Sequence, residues 1–276
     1  MKYLDLEGVI QKSSSDLLKR LPKFIVKLII KIVKQEEINQ ILTKHSNSIG
    51  VDFLPAMIKE FNLTLEIEGK ENLPENGRCF FVANHPFGVI DGLVITHTIA
   101  EKYGNLKAIG NDAFMYIPHL RPLIAAVNAF GQNSKEYISA LEDVFDSDTP
   151  ITHFPAGEVS RVYSRKIQDC KWQKSMVTKS ISKKRDIVPI HFYGRNSRLF
   201  YSIGLIRTML RIKLNFELML LPREMLLKRN QTIRVRIGKP IPYQRFDTSL
   251  SHWDWAQKLR KHVYDIGQYK TKDIAF

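Results

Sequence analysis

From residue 63 onward, short runs of apolar and β-branched residues alternate with longer segments of helical periodicity. That alternation constrains the fold more than any other feature of the chain. The strand-like runs fall at 63–68, 79–83, 106–109, 127–130, 151–154, 187–192 and 232–237. Helix-like segments fall at 91–102, 134–145, 172–184, 199–213 and 252–266. Strands separated by helices imply a mainly parallel sheet covered on both faces, because a parallel pair needs a crossover long enough to hold a helix. The expected fold class is therefore α/β, a mainly parallel sheet flanked by helices, with an N-terminal amphipathic helical extension. With 276 residues and 44% hydrophobic content, one large core is within reach. No internal repeat or low-complexity tract interrupts the pattern.

One strand-like run ends in unusual company. Phe80-Phe81-Val82-Ala83 leads through Asn84 to His85, crosses Pro86-Phe87-Gly88, and meets Asp91 at the start of an apolar helical segment. Open α/β sheets bind ligands outside the carboxyl ends of their strands. A neutral imidazole there can accept a proton from a hydroxyl while a carboxylate fixes its tautomer and stabilises the imidazolium. His85 and Asp91 lie six positions apart, too far for one face of a regular helix, so Asp91 must fold back from the first helical turn. The alternative is a loop histidine beside a helix-capping aspartate.

The wider sequence points to a membrane surface. Residues 16–35 place Leu17, Leu18, Leu21, Phe24, Ile25, Leu28, Ile29 and Ile32 at helical spacing, with Lys23, Lys27 and Lys31 among the basic residues opposite. Pro22 starts the regular part or kinks it. Such a helix either lies in a lipid interface or packs on the protein's own core. Net charge is +14, and residues 183–236 carry thirteen Lys/Arg against three Asp/Glu. That excess calls for an anionic partner. No nucleic-acid-binding pattern accompanies it, so an anionic membrane is expected and nucleic acid is not. The first residues lack the apolar core of a secretory signal, and no run reaches the roughly 20 apolar residues that span a bilayer. Cys79 and Cys170 fit free thiols in a reducing compartment, and no metal-ligand spacing is present. The expected location is peripheral, on the cytoplasmic face of the cell membrane.

Asn84-His85-Pro86-Phe87-Gly88-Val89-Ile90-Asp91-Gly92 resembles the first motif of the lysophospholipid/glycerol acyltransferase superfamily, and in particular its hemolysin-like branch, which includes O-acyltransferases of amino-acid-containing lipids. Five residues separate His85 from Asp91 where the broad superfamily has four, as in the narrower branch. His153-Phe154-Pro155-Ala156-Gly157-Glu158-Val159-Ser160-Arg161 resembles that branch's version of the Phe-Pro-Glu-Gly motif, with the acid after the glycine. The blocks at 167–175 and 188–198 extend the likeness to about residues 60–245.

The resemblance implies an acyltransferase domain at 61–245, between an N-terminal membrane-associating region at 1–60 and a C-terminal helical segment at 246–276. It implies His85 and Asp91 as catalytic residues, and Gly157, Glu158 and Arg161 at the acceptor. Arg195 and Arg198, after another strand, are candidates for anion or membrane contact. No cofactor is expected: the acyl donor is a thioester of acyl carrier protein or coenzyme A, and a thiolate leaves readily enough to need no acyl-enzyme. The acceptor is a lyso-lipid hydroxyl, first an N-acylated amino-acid lipid, second lysophosphatidic acid or a glycerolipid. A non-catalytic membrane-binding protein is the competing class, but it would need neither His85 nor Asp91. A serine hydrolase would need a nucleophile elbow that the chain lacks.

Overall fold

The structure, a computed structural model, describes residues 3–12, 19–127, 135–213, 215–268 and 276. Helices α1 (Leu6–Lys12), α2 (Lys23–Val33), α3 (Gln35–Lys44) and α4 (Phe53–Glu60) precede strand β1 (Thr64–Glu68). There follow β2 (Cys79–Ala83), α5 (Val89–Tyr103), β3 (Lys107–Asn111), β4 (Ile124–Val127), α6 (Lys135–Asp146) and β5 (Ile151–His153). Next come β6 (Arg161–Tyr163), β7 (Lys166–Gln168), α7 (Ser175–Lys183) and β8 (Asp186–Tyr193). The chain continues through α8 (Arg198–Met209), α9 (Leu221–Leu226), β9 (Thr232–Ile237) and α10 (His252–Gln268).

Seven strands form one sheet in the order β1-β9-β8-β2-β5-β3-β4. All neighbours are parallel except β8 and β9, so β1 and β9 run against the other five. The sheet is mainly parallel with flanking helices, as the alternation requires. Central strand β2 shows why both faces must be covered. All five of its residues are buried, and successive side chains point to opposite faces. Phe81 and Ala83 join Val188, Ile190 and Ile233 in a core capped by Phe53 and Met57 of α4 and Ile95 and Ile99 of α5. Phe80 and Val82 join Ile151, Ile187 and Trp172 on the other face, beneath Trp255, Leu259 and Val263 of α10.

Several boundaries differ from expectation. The strand expected at 127–130 lies at Ile124–Val127, where an apolar run pairs with β3, and residues 128–130 fall outside the described part. The helix expected from 172 starts at Ser175, and Trp172 instead fills the core. Helix α8 stops at Met209, short of 213, with Arg211 in the left-handed region at φ 55°. The sequence reading omitted the β6–β7 hairpin altogether. Its strands have three residues each, and Ser164 and Arg165 both have positive φ in the turn, as a tight primed turn demands.

Pro22 immediately precedes helix α2. Leu17 and Leu18 lie outside the described residues. The expected apolar face is divided in two. Val33 is buried and Ile25 and Ile29 are partly covered, whereas Phe24, Leu28 and Ile32 form an exposed stripe at i, i+4, i+8, with Phe24 70% exposed. Lys23, Lys27 and Lys31 are exposed beside that stripe. A second exposed apolar group, Leu205, Ile206, Met209 and Leu210, caps the end of α8. Further along, Leu220 is buried. Among the described residues no helix is long and apolar enough to cross a membrane.

The basic excess of 183–236 is not one patch. Arg185 is buried among the carbonyls of Phe145 and Thr149. Arg234 and Arg236 sit opposite Glu66 and Glu68 across the β1–β9 pair, with Arg234 Nε 2.7 Å from Glu66 and Arg236 Nε 2.8 Å from Glu68.

Candidate active site

Strands β8, β2 and β5 are parallel neighbours, so the loops that follow them, 194–197, 84–88 and 154–160, emerge side by side. Asn84 organises the first loop. Its amide donates to the Phe192 carbonyl at 3.0 Å and its Oδ1 accepts from the Phe192 N–H at 2.7 Å. The side chain thus adds one rung to the β2–β8 ladder after the backbone has begun to turn. Its neighbour Phe87 packs against Gly194, where a Cβ would come within 2.3 Å of the ring. Gly88 has φ +90°, and a Cβ there would crowd Leu221 and Val159. Only glycine satisfies both conditions.

The structure brings His85 and Asp91 together. His85 Nδ1 lies 3.1 Å from Asp91 Oδ2. The approach is ion-pair contact, off the line of a straight hydrogen bond, and Nδ1 is buried with no other partner. Catalytic hydrogen bonds commonly tighten only when substrate is bound. Asp91 is fully buried at the third position of α5. Its Oδ2 accepts from Phe87 N–H at 2.9 Å and Gly88 N–H at 3.2 Å, and Oδ1 accepts from Gly92 N–H at 3.0 Å. One carboxylate therefore caps the helix and faces the imidazole. The His85 ring stacks on Phe154 with centroids 3.9 Å apart and planes at 22°, which restricts its rotation. Its side chain keeps 15% exposure.

The loop after β5 meets this arrangement from the other side. Gly157 has φ +70° with open space where a Cβ would stand, so its backbone is bare towards an approaching molecule. Glu158 accepts from the Tyr163 hydroxyl at 2.7 Å. Arg161 is buried: Nε donates to Glu217 at 3.0 Å and Nη1 to the Val159 carbonyl at 2.5 Å. Its Nη2 is buried without a hydrogen-bond partner, 3.9 Å from Glu158 Oε2. Arg207 approaches Glu217 from the opposite side, Nε to Oε2 at 3.0 Å, so two guanidinium groups share one carboxylate. With Glu158 near by, two guanidinium groups face two carboxylates, and Arg161 Nη2 and Arg207 Nε make no hydrogen bond.

Arg195 stands on the third loop and Arg198 opens α8. Both are exposed, and among the described residues neither forms an ion pair. Beside them Lys228 donates to the Arg195 carbonyl at 2.9 Å and lies over the Phe87 ring at 4.7 Å. Lys23, Lys27 and Lys31 are on α2 and belong to the exposed face already described.

Sequence reasoning assigned no role to several neighbours of the site. Buried Asp169 and Ser160 form a network with half-buried Tyr264 under the His85 loop. His153, opposite Val82 in the sheet, has a buried Nδ1 without a partner. Burial lowers its pKa to about 4, and neighbouring His85 adds to the effect. Cys170 Sγ points at the Ala156 carbonyl, 3.3 Å away. Burial pushes Cys170 up to about 12, with Glu158 contributing, and burial does the same for Cys79. Among the described residues no group of three or more His, Cys, Asp or Glu is placed to hold a metal ion. The geometry suits proton transfer to and from a bound hydroxyl.

Comparison with known proteins gives a consistent result. A family profile described as Acyltransferase matches residues 8–270. A protein of Phocaeicola vulgatus named lyso-glycine lipid O-acyltransferase is 40% identical over 264 residues, spanning 95% of both chains. A protein of the same name from Bacteroides thetaiotaomicron is 38% identical, covering 95% of this chain and 97% of its own. Among solved structures, the crystal structure of the 1-acyl-sn-glycerophosphate (LPA) acyltransferase of Thermotoga maritima aligns with 97% of this chain and 89% of its own, at 16% identity and a TM-score of 0.49.

Proposed function

Since the chain belongs to the acyltransferase family and is an acyl-transferring enzyme, we propose that it esterifies the hydroxyl of a lyso-glycine lipid at a membrane surface, with His85 as general base. The observation that carries the chemistry is the His85–Asp91 pair, 3.1 Å apart at the end of the central strand. The names of the two relatives support the acceptor.

In the proposed reaction the acceptor hydroxyl loses its proton to His85 Nε2 as its oxygen attacks the carbonyl carbon of an acyl thioester, carried by acyl carrier protein or coenzyme A. The C–O bond forms, the C–S bond breaks, and the imidazolium returns its proton to the leaving thiolate. Asp91 keeps the Nδ1 proton in place and offsets the positive charge that develops on the ring. Both thiols are held protonated, which favours direct transfer over a cysteine-bound intermediate. A lyso-glycine lipid offers a carboxylate, and Arg161 Nη2, which makes no hydrogen bond within the chain, is a suitable donor to it. Gly157 and Glu158 would flank that contact.

The exposed Phe24, Leu28 and Ile32 stripe with its flanking lysines supports peripheral attachment to an anionic membrane. The location proposed is the cytoplasmic face of the cell membrane. The test is transfer by the purified protein of labelled acyl groups, supplied on each donor in turn, to lyso-glycine lipid in anionic vesicles. Esterification of lyso-glycine lipid in preference to lysophosphatidic acid is expected. The reverse preference would overturn the acceptor assignment.

A further inference from the structure

We propose that Asp169 is a positioning residue for His85: a second buried carboxylate that clamps the histidine's backbone. This rests on the reading of His85 as the general base. Asp169 is 1% exposed and lies just after the β6–β7 hairpin. Its Oδ1 accepts from the backbone N–H of His85 at 3.1 Å and from the Ser160 hydroxyl at 2.6 Å, and its Oδ2 accepts from the Trp172 indole N–H at 2.8 Å. Ser160 completes the clamp by donating its own N–H to the His85 carbonyl at 2.8 Å. Both backbone polar groups of His85 are thus held by the two residues that close the base of the hairpin.

The carboxylate is itself braced. The backbone N–H of Asp169 donates to the Tyr264 hydroxyl at 2.8 Å. Arg260, one turn earlier on α10, donates to the carbonyls of Asp169 and Cys170 at 2.6 and 3.0 Å. A surface ion pair would need none of this support. Three donors converge on one buried carboxylate, which favours its charged form, whereas burial disfavours it. Burial is the larger effect and raises the Asp169 pKa, with the Ser160, Trp172 and His85 donors opposing it. The arrangement holds the backbone of His85 from beneath the loop, while Asp91 meets its ring at Nδ1.

A clamp of this kind predicts its own kinetic signature. Asp169→Asn keeps the volume, removes the charge and leaves at least one of the three donors without an acceptor. In the full-length protein kcat should fall about 10- to 100-fold, with KM for the acceptor nearly unchanged. In a double-mutant cycle, Asp169→Asn should cost little more once His85 is alanine. A purely structural role would add its loss to that of His85→Ala. That result overturns the proposal, as does wild-type kcat in Asp169→Asn. If Asp169→Asn fails to fold, Ser160→Ala tests the same clamp through one lost donor, with a smaller fall in kcat expected and an unchanged rate overturning it. A folded His85→Ala enzyme with wild-type rate would remove the base reading and this proposal together. An inactive His85→Ala beside an unimpaired Asp169→Asn removes this proposal alone.

Discussion

Replacing His85 by alanine should leave the protein folded and able to bind vesicles while slowing acyl transfer on the order of 10² to 10⁴-fold. Steady-state rates on protein whose melting matches wild type check this. Near-normal transfer would end the base assignment. Asp91→Asn should slow transfer too and also lower stability by about 1 kcal/mol, because the same carboxylate receives the Phe87 and Gly88 N–H groups at the start of α5. The catalytic and capping readings of Asp91 are not rivals at this position. A third test uses the thiols. With burial raising both to about 12, acyl donor supplied alone should leave no acyl mass on Cys79 or Cys170. A stoichiometric adduct in the intact-protein mass spectrum would indicate a covalent route. His85 and Asp91 could be singled out in the sequence because the pair closes within one turn and one helical cap. Asp169 could not. Its bond to His85 spans 84 positions, and no local pattern distinguishes a buried aspartate from one in a surface turn.

Helix α2 carries a test at the next scale. Changing Lys23, Lys27 and Lys31 to Glu should sharply weaken binding to anionic vesicles, since each basic residue near an acidic surface contributes about 1 kcal/mol, less at high salt. Transfer to membrane-embedded acceptor should fall in parallel, and transfer to a short-chain soluble acceptor should persist. Undiminished vesicle binding by the variant would make α2 an ordinary packing element. Helix α10 offers a different test, through His191 of β8. Gly267 packs so closely that a Cβ would come within 2.3 Å of the His191 ring. Burial lowers the pKa of His191 from 6.5 to about 4, with Arg236 adding to it. The unfolded chain therefore takes up the proton first. This contribution is complete above pH 6.5 and is lost as pH falls towards 4, amounting to about 3 kcal/mol. Denaturant titrations across that window should show stability falling with pH, less steeply in His191→Asn, and equal slopes would refute the assignment. At this scale the long apolar strands and crossover helices were legible because periodicity marks them. The β6–β7 hairpin was not, because three-residue strands leave too few positions to reveal a period.

For the molecule as a whole, the sheet order decides what meets at the site. Alternation along the chain announces a parallel sheet, but nothing in it says that β2 lies between β8 and β5. That adjacency joins loops from three distant stretches of sequence, and it is why composition and motif spacing could suggest the roles without the assembly. The reversed pair at the sheet's edge has a consequence in time. Glu66 of β1 meets Arg234 of β9 across a separation of 168 residues, so on a ribosome β1 is made long before its partner exists. Throughout that interval it would be an unpaired edge, the kind of surface on which nascent chains aggregate. Glu66 and Glu68, both exposed on this strand, place negative charge along it and discourage pairing with the wrong neighbour. The glutamates that register β9 through Arg234 and Arg236 in the finished protein would thus guard the vacant edge during synthesis.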